Sequence, residues 1–112
     1  MLTLEQFKAA RSVLRGVIRD TSLIHSTALS KSTGHNVYLK PENMQVTGAY
    51  KLRGAYYKIS TLSEEEKSRG LITASAGNHA QGVAYAAQAA GVSATIVMPT
   101  TTPLVKVNNT KD

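Results

Sequence analysis

The sequence contains no cysteine, which excludes disulfides and thiolate-held metals from its chemistry. No apolar run comes near the roughly 18 residues that a membrane-crossing helix requires. Residues 1–7 carry an acid and no long apolar stretch, so the start does not read as a signal peptide. These absences together point to the cytoplasm. Aromatics are scarce: one Phe and five Tyr, in no arrangement that resembles an RNA-stacking surface. Acids are outnumbered, 7 against 13 Lys and Arg, which leaves a net charge of +6. The basic residues stand as scattered singles, so neither nucleic acid nor a membrane is the expected partner. Charged residues make up only 18% and hydrophobic ones 42%, the balance of a folded globular chain rather than a disordered one.

At 112 residues the chain suits one small domain. Thr3, with Gln6 three positions on, marks a helix start. Phe7, Ala10, Val13, Leu14 and Val17 continue at helical spacing, and the helix is expected to end near Ile18. Residues 21–26 read as a short extended segment running into a Ser/Thr-rich loop, with a turn at 32–36. Residues 37–40 have strand composition and stop at Pro41, and residues 42–48 read as a polar, flexible loop. Residues 49–62 predict a helix with Ala49, Leu52, Ala55, Tyr56 and Ile59 on one face. Ser63 and Glu66 make a second capping box. A strand over 71–74, a tight turn at 75–77, an Ala-built helix over 78–90 ended by Gly91, a strand over 92–98 and a last helix opened by Pro103 follow. That order predicts an α/β fold, a parallel sheet with flanking helices. The strands are apolar on consecutive residues, which predicts that both sheet faces are covered. Two or three strands bury little apolar area, and the chain stops inside its last helix. The expectation is therefore a truncated piece of a longer protein.

Two constellations carry chemistry. The first is Thr47-Gly-Ala-Tyr-Lys51-Leu-Arg-Gly54. It sets Lys51 in the first turn of a helix, behind a glycine loop and beside Tyr50. A helix N-terminus disfavours an added cation, and burial does so too; an imine-forming lysine needs such surroundings. The plain alternative is a solvated surface lysine. The second is Ser75-Ala-Gly-Asn-His79, between a strand and a helix start. Small residues let backbone approach a ligand closely, and free N–H groups there cradle a carboxylate or phosphate. The plain alternative is a turn capped by Asn78. His79 at a helix start reads as a capping or packing residue before it reads as a general base. His25 and His35 lie in loop-like segments, and three scattered His make no metal site. Glu64, Glu65 and Glu66 read as a solvated helix start.

Four ordered segments, Lys40-Pro-Glu-Asn-Met-Gln45, residues 47–55, residues 73–84 and Ile96-Val-Met-Pro-Thr100, resemble the threonine dehydratases, with the wording around Lys51 nearest the catabolic type. The resemblance implies the tryptophan synthase β-like architecture of fold-type-II enzymes dependent on pyridoxal 5'-phosphate (PLP). Residues 1–46 would then belong to the larger domain and 47–112 to an incomplete small one. It implies that Lys51 forms the Schiff base with PLP and later moves protons. Tyr50 would lie against the cofactor ring and Asn78 would bond its 3′-oxygen. Ser75, Ala76, Gly77, Asn78 and His79 would hold the substrate carboxylate.

The implied reaction dehydrates and deaminates L-threonine or L-serine, giving 2-oxobutanoate or pyruvate and ammonia, in a homo-oligomer. Serine racemases resemble the same family but tend to carry serine where this chain has Ala76. The family's glycine-rich phosphate loop and its pyridine-nitrogen contact fall beyond residue 112. The piece alone is therefore expected to bind PLP poorly and to be inactive. Two other readings stand beside this one: a non-catalytic truncated module that pairs with an intact subunit, and a basic α/β nucleic-acid binder, which clustered Lys and Arg would have favoured.

Overall fold

The computed structural model describes residues 1–111; Asp112, the end of the expected last helix, lies outside them. Helix α1 (Leu4–Leu14) opens on the expected capping box: Thr3 Oγ1 accepts from the Gln6 amide and Gln6 Oε1 accepts from the Thr3 amide. It stops four residues before Ile18, because Arg15 turns extended and Gly16 takes φ +83°, a conformation glycine adopts without strain. Strands β1 (Ile24–His25) and β2 (Tyr38–Leu39) pair antiparallel. Between them the expected Ser/Thr loop is instead helix α2 (Thr27–Thr33). Ser26 Oγ caps the Leu29 amide, and Gly34 closes the helix at φ +72°. Ser and Thr are weak inside helices but strong at their caps, so composition alone hid this one.

The second half follows the expected order. Helix α3 (Lys51–Ser60) leads to α4 (Glu64–Ser68), which opens on the Ser63–Glu66 capping box. Strand β3 (Leu71–Ala74), helix α5 (Asn78–Ala90), strand β4 (Ala94–Val97) and helix α6 (Leu104–Lys111) complete the chain. β3 and β4 pair in parallel from Leu71–Ala94 to Ala74–Val97, with α5 as the crossover. The α/β architecture read from the sequence is therefore present.

The core lies between α3 and α5, where Leu52, Ala55 and Ile59 meet Val83 and Ala86. Leu52 is fully enclosed, and burying such a side chain stabilises by about 2 kcal/mol. Small residues on α5 let the helices approach closely. A Cβ added at Gly82 would lie 3.2 Å from both the Leu52 amide nitrogen and the Lys51 carbonyl carbon.

One expectation fails. The sheet is covered on one face only: Ile72 and Val97 are 77% and 52% exposed. The radius of gyration, 16.6 Å, exceeds the about 13 Å of a closed domain of this length. A groove of about 790 Å³ between α1 and the outer side of α3 is lined by Phe7, Leu14 and Tyr57. Among the described residues no helix is long and apolar enough to cross a membrane.

Candidate active site

Lys51 is the first residue of α3, and Tyr50 holds the N-cap position without a side-chain capping bond. The lysine is exposed rather than buried, so the burial expected around it is not supplied by these residues. Its ammonium nitrogen stands 5.2 Å from the Tyr50 ring centroid, within cation–π range.

The turn at 75–77 is anchored at both ends. The Ser75 amide donates to the Val97 carbonyl at 3.0 Å, and Ser75 Oγ accepts from the Gly77 amide at 3.3 Å. Gly77, not Asn78, is the N-cap of α5, and no side chain caps that helix. The first intrahelical bond comes from the Gln81 amide to the Gly77 carbonyl. Among the described residues, the amides of Asn78, His79 and Ala80 therefore have no acceptor. A helix start with open N–H groups receives an anion. A Cβ at Gly77 would meet nothing within 4 Å, so the cradle is open. Asn78 and His79 are exposed; Ser75, Ala76 and Gly77 are half-buried.

The Gly82 contact links the first constellation to the helix that the second one opens. It sets the backbone of Lys51 and Leu52 against the second turn of α5. Gly82 lies four residues from Asn78, about 6 Å along the helix at 1.5 Å per residue. His25 lies on β1 and His35 just after α2, outside both constellations. His25 packs edge-on to Tyr38 and meets Ser30 Oγ at 3.1 Å.

A third group of side chains went unrecognised in the sequence. Arg53 donates to both oxygens of Glu42, at 2.8 and 2.7 Å, and to Thr21 Oγ1 at 3.3 Å; the Thr21 hydroxyl donates to Glu42 in turn. The Arg53 hydrogen bonds hold the Glu42 carboxyl down at about 2, against an ordinary 4.5, and outweigh the opposing effect of burial; Thr21 adds to the lowering. Hydrogen bonding to Glu42 pushes Arg53 up in turn. The only signal in the sequence is that Glu42 is the sole acid between residues 21 and 63.

Residues 14–112 match the family model described as pyridoxal-phosphate dependent enzyme. The chain belongs to this family. L-threonine ammonia-lyase of Thermotoga maritima is 55% identical over 112 residues, covering 100% of this chain and 28% of that protein. The catabolic L-threonine dehydratase TdcB of Staphylococcus aureus strain N315 is 53% identical over 112 residues, covering 99% and 32%. The chain thus spans less than a third of either relative. Serine racemase of Dictyostelium discoideum superposes with a TM-score of 0.91 at 36% identity, over 98% of this chain and 36% of that one.

The residues present suit the family's cofactor. PLP requires a primary amine for its aldehyde, a face for its ring, and hydrogen-bond partners for its oxygens. Lys51 offers an accessible amine, Tyr50 an exposed aromatic ring beside it, and Asn78 a side-chain amide with no partner among the described residues. The uncapped start of α5 leaves room for one further acidic group.

Proposed function

We propose that the chain carries the lysine and the carboxylate cradle of a catabolic-type threonine dehydratase, converting L-threonine, and L-serine, to 2-oxobutanoate or pyruvate with release of ammonia. The Gly82 close contact carries this reading, because it packs the backbone of Lys51 and Leu52 against the second turn of α5, one turn on from its uncapped start. Identities of 55% and 53% to a threonine ammonia-lyase and a threonine dehydratase support the choice of substrate. Residues 1–46 would form part of a larger domain and 47–112 part of the small one. A cytoplasmic homo-oligomer completes the reading.

Lys51 would hold PLP through its amine, Tyr50 through its ring and Asn78 through its side-chain amide. When bound, the cofactor supplies an electron sink that stabilises negative charge at the α-carbon of the amino acid. The open amides of Asn78, His79 and Ala80 bind the substrate carboxylate and fix the α-carbon relative to Lys51. Lys51 Nζ, once free, takes the α-proton as general base. The methyl group of Ala76 and the bare backbone of Gly77 let the carboxylate approach closely. A proton must also reach the departing β-hydroxyl, and water adds in the final hydrolysis, so atoms balance: threonine gives 2-oxobutanoate and ammonia.

A serine racemase-like activity is the second reading, favoured by the TM-score of 0.91. Ala76 argues against it, since its methyl group has no proton to deliver on the side opposite Lys51. The test is the full-length protein with PLP and L-threonine, L-serine or D-serine. The reading expects 2-oxo acid from L-threonine, abolished by Lys51→Ala. Inversion of serine without 2-oxo acid would reject it.

A further inference from the structure

Thr21 and Gln45 are 5% and 2% exposed, the buried polar residues found among those described. A polar group loses free energy on burial unless it is hydrogen-bonded. Both belong to one network, and the network ends two residues from Lys51. Gln45 forms a double bond pair with the backbone of Arg19: its side-chain oxygen accepts from the Arg19 amide at 2.8 Å and its Nε2 donates to the Arg19 carbonyl at 3.1 Å. That pair ties the 3₁₀ turn Glu42–Met44 to the segment after α1. Glu42 on this turn then takes the fork of Arg53.

The start of α3 needs such a hold. Its N-cap makes no side-chain bond. Among the described residues the Lys51 side chain makes no hydrogen bond, and its ammonium group lies against the Tyr50 ring. The inner side is fixed by Leu52 against Gly82. Apolar packing of α3 on α5 and on α1 is non-directional and leaves the rotation of its first turn to the polar contacts. Arg53 lies about 200° around the helix from Lys51 at 3.6 residues per turn. A planar guanidinium bonded twice to one carboxylate sets a direction as well as a distance.

We infer that Glu42, gripped by Arg53 and Thr21, is a positioning residue that fixes the first turn of α3 and with it the direction from which Lys51 Nζ acts. This rests on Lys51 being the lysine that holds the cofactor. Glu42 itself touches no reacting atom.

The test uses the full-length protein with Glu42→Gln, Arg53→Lys and, as control, Lys51→Ala. Three quantities are read per folded molecule: kcat, KM for L-threonine, and the rate at which apo protein captures added PLP at Lys51. A misplacement near 1 Å costs about 100-fold in rate, so kcat and capture rate should fall by up to that factor while KM changes little. A contact that merely stabilises the fold would lower the folded fraction and leave all three untouched. That outcome in Glu42→Gln overturns the inference. If Glu42→Gln does not fold, Arg53→Lys, which keeps the charge but loses the fork, decides: unchanged kcat and capture overturn, reduced ones support. Capture and turnover that survive Lys51→Ala would instead reject the assignment of Lys51, whatever Glu42 does.

Discussion

Gly82→Ala sets a helix propensity against a helix contact. Alanine inside a helix is favoured over glycine by about 1 kcal/mol. At position 82 the new Cβ would lie 3.2 Å from the Leu52 amide nitrogen and the Lys51 carbonyl carbon and 3.4 Å from Leu52 Cα. All three are backbone atoms, which cannot swing aside as a flexible side chain would. Helix α3 must therefore move out by a few tenths of an ångström, away from a packed contact. Overpacking of this kind costs about 1–3 kcal/mol, so the net change is a loss of about 1 kcal/mol.

Gly54→Ala supplies the internal control. Gly54 also lies inside a helix, but a Cβ there meets nothing within 4 Å. It should stabilise by up to about 1 kcal/mol. The difference between the two variants isolates the packing contribution, because the propensity gain is common to both. Urea unfolding followed by circular dichroism measures it. Equal stabilisation by both substitutions would refute the close approach of α3 to α5, and with it the contact that seats the Lys51–Leu52 backbone on α5.

Four other outcomes follow from the same structure. Glu42 is depressed from 4.5 to about 2 in the fold, so its contribution is complete above pH 4.5 and is lost as pH falls towards 2. Acid unfolding of Glu42→Gln should lack that part of the pH dependence, worth at most about 3 kcal/mol. Leu52→Ala empties the centre of the α3–α5 contact and should cost about 2–5 kcal/mol by denaturant titration. Thr3→Ala removes one half of a capping box at an exposed helix start and should cost about 1 kcal/mol, read from the unfolding midpoint. The chain of residues 1–112 by itself should hold PLP weakly and form no 2-oxo acid from L-threonine, since its assigned groups serve the amine, the ring and the carboxylate but none the phosphate; absorbance titration and a 2-oxo acid assay check this.

The second half of the chain was legible because its signals are local. Helix α5 runs over the span read from its Ala content between Gly77 and Gly91, and β3 matches residue for residue. The capping boxes at Thr3 and Ser63 are three-residue patterns and were readable for the same reason. Helix α2 was not, since Ser and Thr favour caps and loops as readily as this short helix. Coverage of both sheet faces was inferred from apolar strands, yet Ile72 and Val97 face outwards; a strand's composition records the burial it meets in its whole setting. The Thr21–Glu42–Arg53 network escaped because its members lie 21 and 11 residues apart and meet only through the fold. For the site, motif and local chemistry point to Lys51 and residues 75–79. The packing of the Lys51–Leu52 backbone on Gly82, four residues on from Asn78, is visible only in three dimensions.

The proposed function turns on one nitrogen atom, Lys51 Nζ, and borohydride reduction of the full-length protein saturated with PLP tests it. Peptide mapping by mass spectrometry then locates the reduced cofactor. It should sit on the peptide containing Lys51 and be absent after Lys51→Ala. Attachment at another lysine, such as Lys40 or Lys58, or labelling that persists in Lys51→Ala, would contradict it.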